Sequence, residues 1–233
     1  MKIGAFNKFS AIDYPDGLLA CVLGCQGCNL RCGWCHNGQM VGASKPSRDL
    51  IPEKDIFTFL RRRSQQLDAV VITGGEPSLQ ADLPDFCRQV KTLGFKIKLD
   101  TNGSRPEMVA KLIDNQLIDY VAMDIKTAPQ EYHQLSVERN IDTSILHSIR
   151  IIMRQAPAYE FRTTCVRPFV TEQTVLSIGR LIEGASRYFL QKCRPEAVLD
   201  PRFFSVNPPP QSDPEIEALK ALVAPLVADC QIR

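Results

Sequence analysis

No apolar run in this 233-residue sequence approaches the roughly 18 consecutive residues a membrane span needs. Neither sign of charge dominates: 28 Lys and Arg face 26 Asp and Glu, a formal charge of +2. Nucleic-acid affinity rests on concentrated Lys and Arg, so this balance gives no ground for a nucleic-acid partner. Met1 to Lys8 lack the apolar stretch and small-residue cleavage site of a secretory leader, and the expected location is the cytoplasm. Internal repeats and low-complexity tracts are absent as well. What remains is the composition of an ordinary folded chain, 44% hydrophobic and 23% charged, long enough to bury a core without disulfide staples.

Cysteine is the exception. There are nine, an odd number, and Cys21, Cys25, Cys28, Cys32 and Cys35 fall within 15 residues. In a cytosolic chain such crowding points to metal or cluster ligation before disulfides. Cys87, Cys165, Cys193 and Cys230 stand among apolar neighbours and read as small buried hydrophobes.

Short apolar runs alternate with longer amphipathic segments. Strands are expected at Leu18–Leu23, Ala69–Thr73, Phe95–Leu99, Asp119–Met123, Ala158–Thr164 and Arg187–Leu190. Helices are expected at Glu53–Gln66, Asp82–Leu93, Arg105–Asn115, Asp142–Met153, Thr171–Glu183 and Pro214–Val227. Ser205–Ser212, with Pro208, Pro209 and Pro210, reads as a loop. Six such units without a break in composition imply one α/β domain over 1–233, with a cysteine loop at 24–38 and a C-terminal helical segment near 213–228. The conspicuous polar groups fall at or just past strand C-terminal ends: the cysteine loop, Gly74-Gly75-Glu76, Asp100, Asp124-Ile125-Lys126 and Gln191. A (β/α) arc points all those ends at one centre, whereas an open doubly wound sheet spreads them along a rim. Six units are too few for a full barrel, so a partial (β/α)6 barrel is expected.

Cys28, Cys32 and Cys35 supply thiolates at spacings of four and three residues, enough for three corners of a four-iron cluster with the fourth iron open. A structural zinc site would want a fourth ligand, for which His36 stands next to Cys35. Cys21, Cys25 and Cys28 repeat the same spacing, but Cys21 belongs to an apolar strand while the later triplet lies in a loop rich in Gly, Asn and Arg. The later triplet is the one chosen. An arginine inside an apolar strand, Arg162, needs a partner, because an unpaired buried charge is costly. His36, His133 and His147 show no acid or base partner, and Asp13-Tyr14-Pro15 reads as shaping the first strand or a partner surface.

The CxxxCxxC motif with Trp34 before its third cysteine, and Gly74-Gly75-Glu76-Pro77 directly after a strand, resemble the two signatures of radical S-adenosylmethionine enzymes. Ile12 to Pro15, Gln26 to Asn37, Thr73 to Ser78, Leu99 to Gly103, Val121 to Lys126 and Glu160 to Thr164 extend the resemblance to the activating enzymes of glycyl radical enzymes. Within these the chain is most similar to activators of anaerobic ribonucleoside-triphosphate reductase. The resemblance implies one [4Fe-4S] cluster on Cys28, Cys32 and Cys35, whose free iron chelates S-adenosylmethionine and whose electron cleaves it to methionine and a 5′-deoxyadenosyl radical. It implies that Trp34 lies by the adenine, that Gly74 and Gly75 admit the methionyl group, and that Glu76 bonds nearby or fixes the loop. By the same resemblance Lys126 meets the cofactor carboxylate, while the partner that Arg162 needs is either that carboxylate or a structural Glu. Asp100 and Asp124 meet its amino group, its ribose or a bound monovalent cation, and Gln191 faces the same centre. The implied partners are the reductase, or another glycyl radical enzyme, and a flavodoxin or ferredoxin as electron donor. Cys25 departs from the usual small residue of the family and is either inert or poised near the cluster. The rival readings are an activator of pyruvate formate-lyase, a radical enzyme for a small purine-like molecule, and an electron-transfer or zinc-stabilised binding protein.

Overall fold

The computed structural model describes residues 1–42, 49–136 and 138–233. One eight-stranded sheet carries the fold, its strands paired in chain order from β1 to β8. The first, β1 (Ile3–Ser10), runs antiparallel to β2 (Ala20–Cys25). From β2 onward every pairing is parallel, through β3 (Ala69–Gly74), β4 (Lys96–Thr101), β5 (Tyr120–Asp124), β6 (Tyr159–Cys165), β7 (Tyr188–Lys192) and β8 (Cys230–Ile232). Neither edge strand pairs with the other, so the sheet is an open arc, a partial (β/α) barrel. The strands β2 to β7 are the expected six; β1 and β8 extend the arc at both edges.

The parallel strands are joined by α1 (Gly38–Val41) and α2 (Glu53–Arg63), then α3 (Leu83–Thr92), α4 (Pro106–Asp114), α5 (Ile141–Gln155), α6 (Glu172–Leu181), and finally α7 (Phe203–Val206) and α8 (Asp213–Val223). Local chemistry sets their ends. Pro106 occupies the first turn of α4, the Thr171 hydroxyl accepts from the Thr174 N–H at the start of α6, and Ser212 with Glu215 forms a capping box on α8. The helices bury one face each, such as Ile141, Ile145, Ile149 and Ile152 on α5. The expected loop at Ser205–Ser212 starts two residues later, because Ser205 and Val206 close the short α7.

Alternation along each strand divides the core in two. Leu23, Val70, Ile72, Ile97, Leu99, Val121, Met123, Phe161 and Leu190 point outward and pack in the large core that the helices cover. The inward side holds a small apolar floor of Ala20, Ala69, Val71, Ala122, Tyr14 and Tyr120. Asp13-Tyr14-Pro15 supplies the plug of that floor: Tyr14 is buried against Tyr120, with ring centroids 6.2 Å apart, and the Asp13 carbonyl accepts from Lys98 Nζ at 2.8 Å. Above the floor the inward positions are charged, and there the site begins.

Candidate functional site

A cavity of about 510 Å³ opens at the C-terminal ends of the parallel strands. Cys28, Cys32, Cys35 and Trp34 line it, as do Gly74, Gly75 and Glu76. So do Asp100, Asp124, Lys126, Arg162 and Gln191, so every residue the sequence assigned to the cluster or the cofactor lines one cavity. Cys21 and Cys25 are fully buried in the helix-side core and take no part in the lining, which separates the two overlapping triplets. All nine cysteines are free thiols.

The cysteine loop is held by backbone and side-chain bonds on several sides. The Gly27 and Cys28 N–H groups donate to the Met40 and Val41 carbonyls of α1 at 2.7 and 3.2 Å, and the Arg31 N–H donates to Leu135 O at 2.9 Å. Asn29 receives Asn102 Nδ2 at 3.1 Å and Ser104 Oγ at 3.2 Å, and donates to Glu138 Oε2 at 3.0 Å. Burial pushes the Cys28 thiol up to about 11, although the Leu30 N–H on its sulfur pulls the other way, and pushes Cys32 up to about 12. Trp34 is buried in an aromatic cluster, its ring 4.6 Å from that of Phe169 and 5.6 Å from that of Phe203, with one side on the cavity. His36 accepts from the Arg194 N–H at 3.1 Å and lies 3.7 Å from Cys193 Sγ. Among the described residues no three His, Cys, Asp or Glu side chains are close enough to hold a single metal ion.

The Gly74-Gly75 edge is tight. A Cβ on Gly74 would lie 2.3 Å from the Cys25 backbone nitrogen, and Gly74 has φ +113°, open to glycine and rarely to other residues. The Gly74 carbonyl accepts from Asn37 Nδ2 at 3.0 Å. Glu76 is buried with its carboxylate fully engaged: Oε1 accepts from Ser78 N at 3.0 Å, Ser78 Oγ at 2.6 Å and Thr101 Oγ1 at 2.7 Å, and Oε2 from Asn102 N at 2.6 Å. Burial pushes this carboxyl up and those bonds pull it down. Glu76 thereby fastens the end of β3 to the end of β4.

The same cavity is lined by a buried ionic layer. Arg162 Nε donates to Asp124 Oδ1 at 2.8 Å and its Nη1 is 3.5 Å from Asp100 Oδ2; Lys126 Nζ is 3.0 Å from Asp124 Oδ2, and Lys98 Nζ 2.8 Å from Asp100 Oδ1. Burial alone would raise the Asp124 carboxyl, yet Arg162 and Lys126 hold it down at about 2, and Arg162 with Lys98 likewise holds Asp100 below its ordinary value. Burial would lower Lys126, but Asp124 and the thiols of Cys32 and Cys35 keep it raised. Lys98, Asn37 and Asn29 complete the site without having been singled out in the sequence. Lys98 was open to detection, being a charge inside an apolar strand two residues before Asp100.

An arc with a thiol-lined cavity at its strand ends defines a class. The pattern of the Radical SAM superfamily matches residues 22–157, more than half the chain, and the chain belongs to that superfamily. A protein of Methanocaldococcus jannaschii assigned by name to the glycyl-radical enzyme activating enzymes is 33% identical over 216 residues, 91% of this chain and 88% of its own. A 7-carboxy-7-deazaguanine synthase of Thermococcus kodakarensis is 27% identical over 191 residues, 72% of each chain. Among solved structures, Streptococcus suis SuiB bound to precursor peptide SuiA shares the fold at a TM-score of 0.63 and 15% identity, over 90% of this chain and 47% of that one. The chain is a radical SAM enzyme, and its cofactors are a [4Fe-4S] cluster and S-adenosylmethionine. The residues present fit both: three thiols in the lining leave a cluster corner free, glycines leave a bare backbone edge, and fixed charges line the same cavity.

Proposed function

We propose that this protein activates a glycyl radical enzyme, with anaerobic ribonucleoside-triphosphate reductase as the partner, by removing a hydrogen atom from the α-carbon of one glycine. The observation that carries the reading is the cavity itself, in which Cys28, Cys32 and Cys35 share the lining with Gly74-Gly75 and the Asp100, Asp124, Lys126, Arg162 layer. Identity of 33% across 91% of the chain with a protein assigned to the same activating enzymes supports the substrate class. In this reading the three thiolates would hold the cluster, which would supply the one electron for reductive cleavage of S-adenosylmethionine at its sulfonium, with methionine as the leaving fragment.

This chain's residues do the rest. Lys126 and Arg162, kept charged by Asp124 and Asp100, receive the cofactor carboxylate. Asp100 and Asp124 stay ionised and face its amino group or ribose, or a monovalent cation. The Gly74 and Gly75 backbone accepts the methionyl group, Trp34 flanks the adenine, and Gln191 closes the far wall. Glu76 acts through the backbone it fastens. A cavity of about 510 Å³ is of the size usual for one small-ligand site, so cluster and cofactor claim it and a glycine-bearing loop enters from its mouth. The whole chain, 1–233, serves as a single domain in the cytoplasm, with a flavodoxin or ferredoxin as electron donor.

The test is anaerobic electron paramagnetic resonance on reconstituted, reduced protein mixed with S-adenosylmethionine and the reductase of its host. A glycyl doublet on the reductase, lost in Cys32→Ala, is the expected result. A cofactor-altered cluster signal with no doublet, despite a competent reductase, overturns the partner. A second reading has a specific support: the 27% identity with a 7-carboxy-7-deazaguanine synthase over 72% of the chain favours a small purine-like substrate. Deoxyadenosine formation stimulated by such a molecule, with no protein acceptor present, would establish it.

A further inference from the structure

One pleat below Arg162 on β6 lies a second buried carboxylate, Glu160, whose side chain is 1% exposed. Alternation puts both residues on the inner side of the arc, and Arg162 Nη1 is 3.8 Å from Glu160 Oε1. Glu160 lies outside the cavity lining, so its charge is met from within the protein. Two groups meet it more closely than Arg162 does. Arg233 places Nη1 3.0 Å from Oε1 and Nη2 3.3 Å from Oε2, and the Tyr120 hydroxyl donates to Oε2 at 3.0 Å. The position of Arg233 is fixed by the sheet: its N–H donates to Leu190 O at 3.0 Å and its carbonyl accepts from Lys192 N at 2.8 Å. Its guanidinium sits 3.5 Å over the Phe189 ring.

We propose that Arg233 is a positioning residue for the cofactor site, occupying Glu160 so that Arg162 stays on Asp124 and Asp100 in the layer above. Arg162 stands within reach of both layers, its Nη1 3.5 Å from Asp100 Oδ2 and 3.8 Å from Glu160 Oε1, so the cation on Glu160 decides which layer its rigid fork favours. A buried carboxylate that loses its cation draws on the nearest remaining one, because leaving it unpaired is costly. Here that cation is Arg162. Without Arg233 it turns down toward Glu160, and Asp124 and Asp100 lose the charge that sets the upper layer. The inference rests on the reading of the cavity as the S-adenosylmethionine site.

The test is equilibrium dialysis of S-adenosylmethionine against anaerobically reconstituted wild type, Arg233→Ala, Arg233→Lys and the double variant Glu160→Gln/Arg233→Ala. Iron content and Tm are measured on each. Arg233→Ala is expected to raise Kd about tenfold, the effect of one lost charge-assisted hydrogen bond, with Arg233→Lys recovering part of it. The double variant is expected to bind close to wild type, since it has no lower carboxylate to satisfy. A lower Tm in Arg233→Ala with unchanged Kd overturns the inference, and so does a double variant that binds as poorly as the single one. Should Arg233→Ala not fold, the comparison of Arg233→Lys with the double variant decides on the same terms. A wild type that binds no S-adenosylmethionine overturns the reading of the cavity and this inference together, which separates the two failures.

Discussion

Gly75 has no room for a methyl group: a Cβ there would lie 2.2 Å from the Gly27 carbonyl oxygen and 2.8 Å from that of Met40. Both neighbours are backbone, so Gly75→Ala must move the cysteine loop away from β3. The expected cost is about 1–3 kcal/mol, read by urea denaturation, together with weaker cofactor binding. Gly42→Ala, with nothing among the described residues within 4 Å of the added carbon, is the control that stays near wild type. Asp124 gives a pH prediction. Its carboxyl is held at about 2 against an ordinary 3.8, burial being outweighed by Arg162 and Lys126. A group depressed in the folded state contributes stability above its unfolded value and loses it as pH falls through the folded one. Between about pH 4 and about pH 2 the iron-free wild type should therefore lose on the order of 2 kcal/mol more than Asp124→Asn. Parallel curves for the two proteins would remove Asp124 from the ionic layer. The cysteine spacing, the Gly-Gly edge and the lone Arg162 were all legible in the sequence, because each is a local departure from pattern. Glu160 and Lys98 obey the same rule as Arg162, yet their meaning depends on Arg233 and Asp13, which only the folded sheet brings near.

The segment from Arg194 to Val206 works as a strap over the cysteine loop. Asp200 N donates to Gly33 O at 3.0 Å, and Phe203 fills the space beside Gly33 so closely that a Cβ there would sit 2.4 Å from its ring. Gly33 is thus the residue that lets the strap close between Cys32 and Trp34. Phe203→Ala empties a buried aromatic site, at an expected cost of about 3 kcal/mol, and the iron-loaded variant should surrender iron to a chelator faster than wild type. Val206→Ala, at a side chain 80% exposed, should change neither measurement. Equal chelation rates for Phe203→Ala and wild type would show that the strap does not guard the loop. Sequence periodicity found the long helices and the six central strands, and passed over α1, α7, β8 and β1. The first three span four, four and three residues, too few for a period to emerge. In β1 the register shifts twice, between Ile3 and Ala5 and between Asn7 and Ser10, which erases the alternation that marks a strand.

Across the whole molecule the sheet has two unlike faces. Outside, aliphatic and aromatic side chains pack under helices; inside, Lys98, Asp100, Asp124, Lys126, Glu160, Arg162 and Arg233 stand above a floor of alanines and tyrosines. Stability resides chiefly in the first face and binding in the second: hydrophobic period revealed the fold class, and of the inner charges the sequence marked Asp100, Asp124, Lys126 and Arg162 but not Lys98 or Arg233. A cofactor that binds only the folded chain adds to stability by mass action. Iron-loaded protein should melt above iron-free protein, each kcal/mol of linkage being worth about 2–4 °C at this chain length. Superimposable melting curves would mean that the thiols bind no cluster in the folded state. The chain-order pairing of β1 to β8 has a further consequence, for the timing of biogenesis. Each strand joins a neighbour already made, so a growing chain can lay down the arc without waiting for distant segments. Cys28, Cys32 and Cys35 come with the second strand, whereas Phe203 and Arg233 come after the seventh. The thiols are thus synthesised well before the segment that covers them, with most of the arc coming in between.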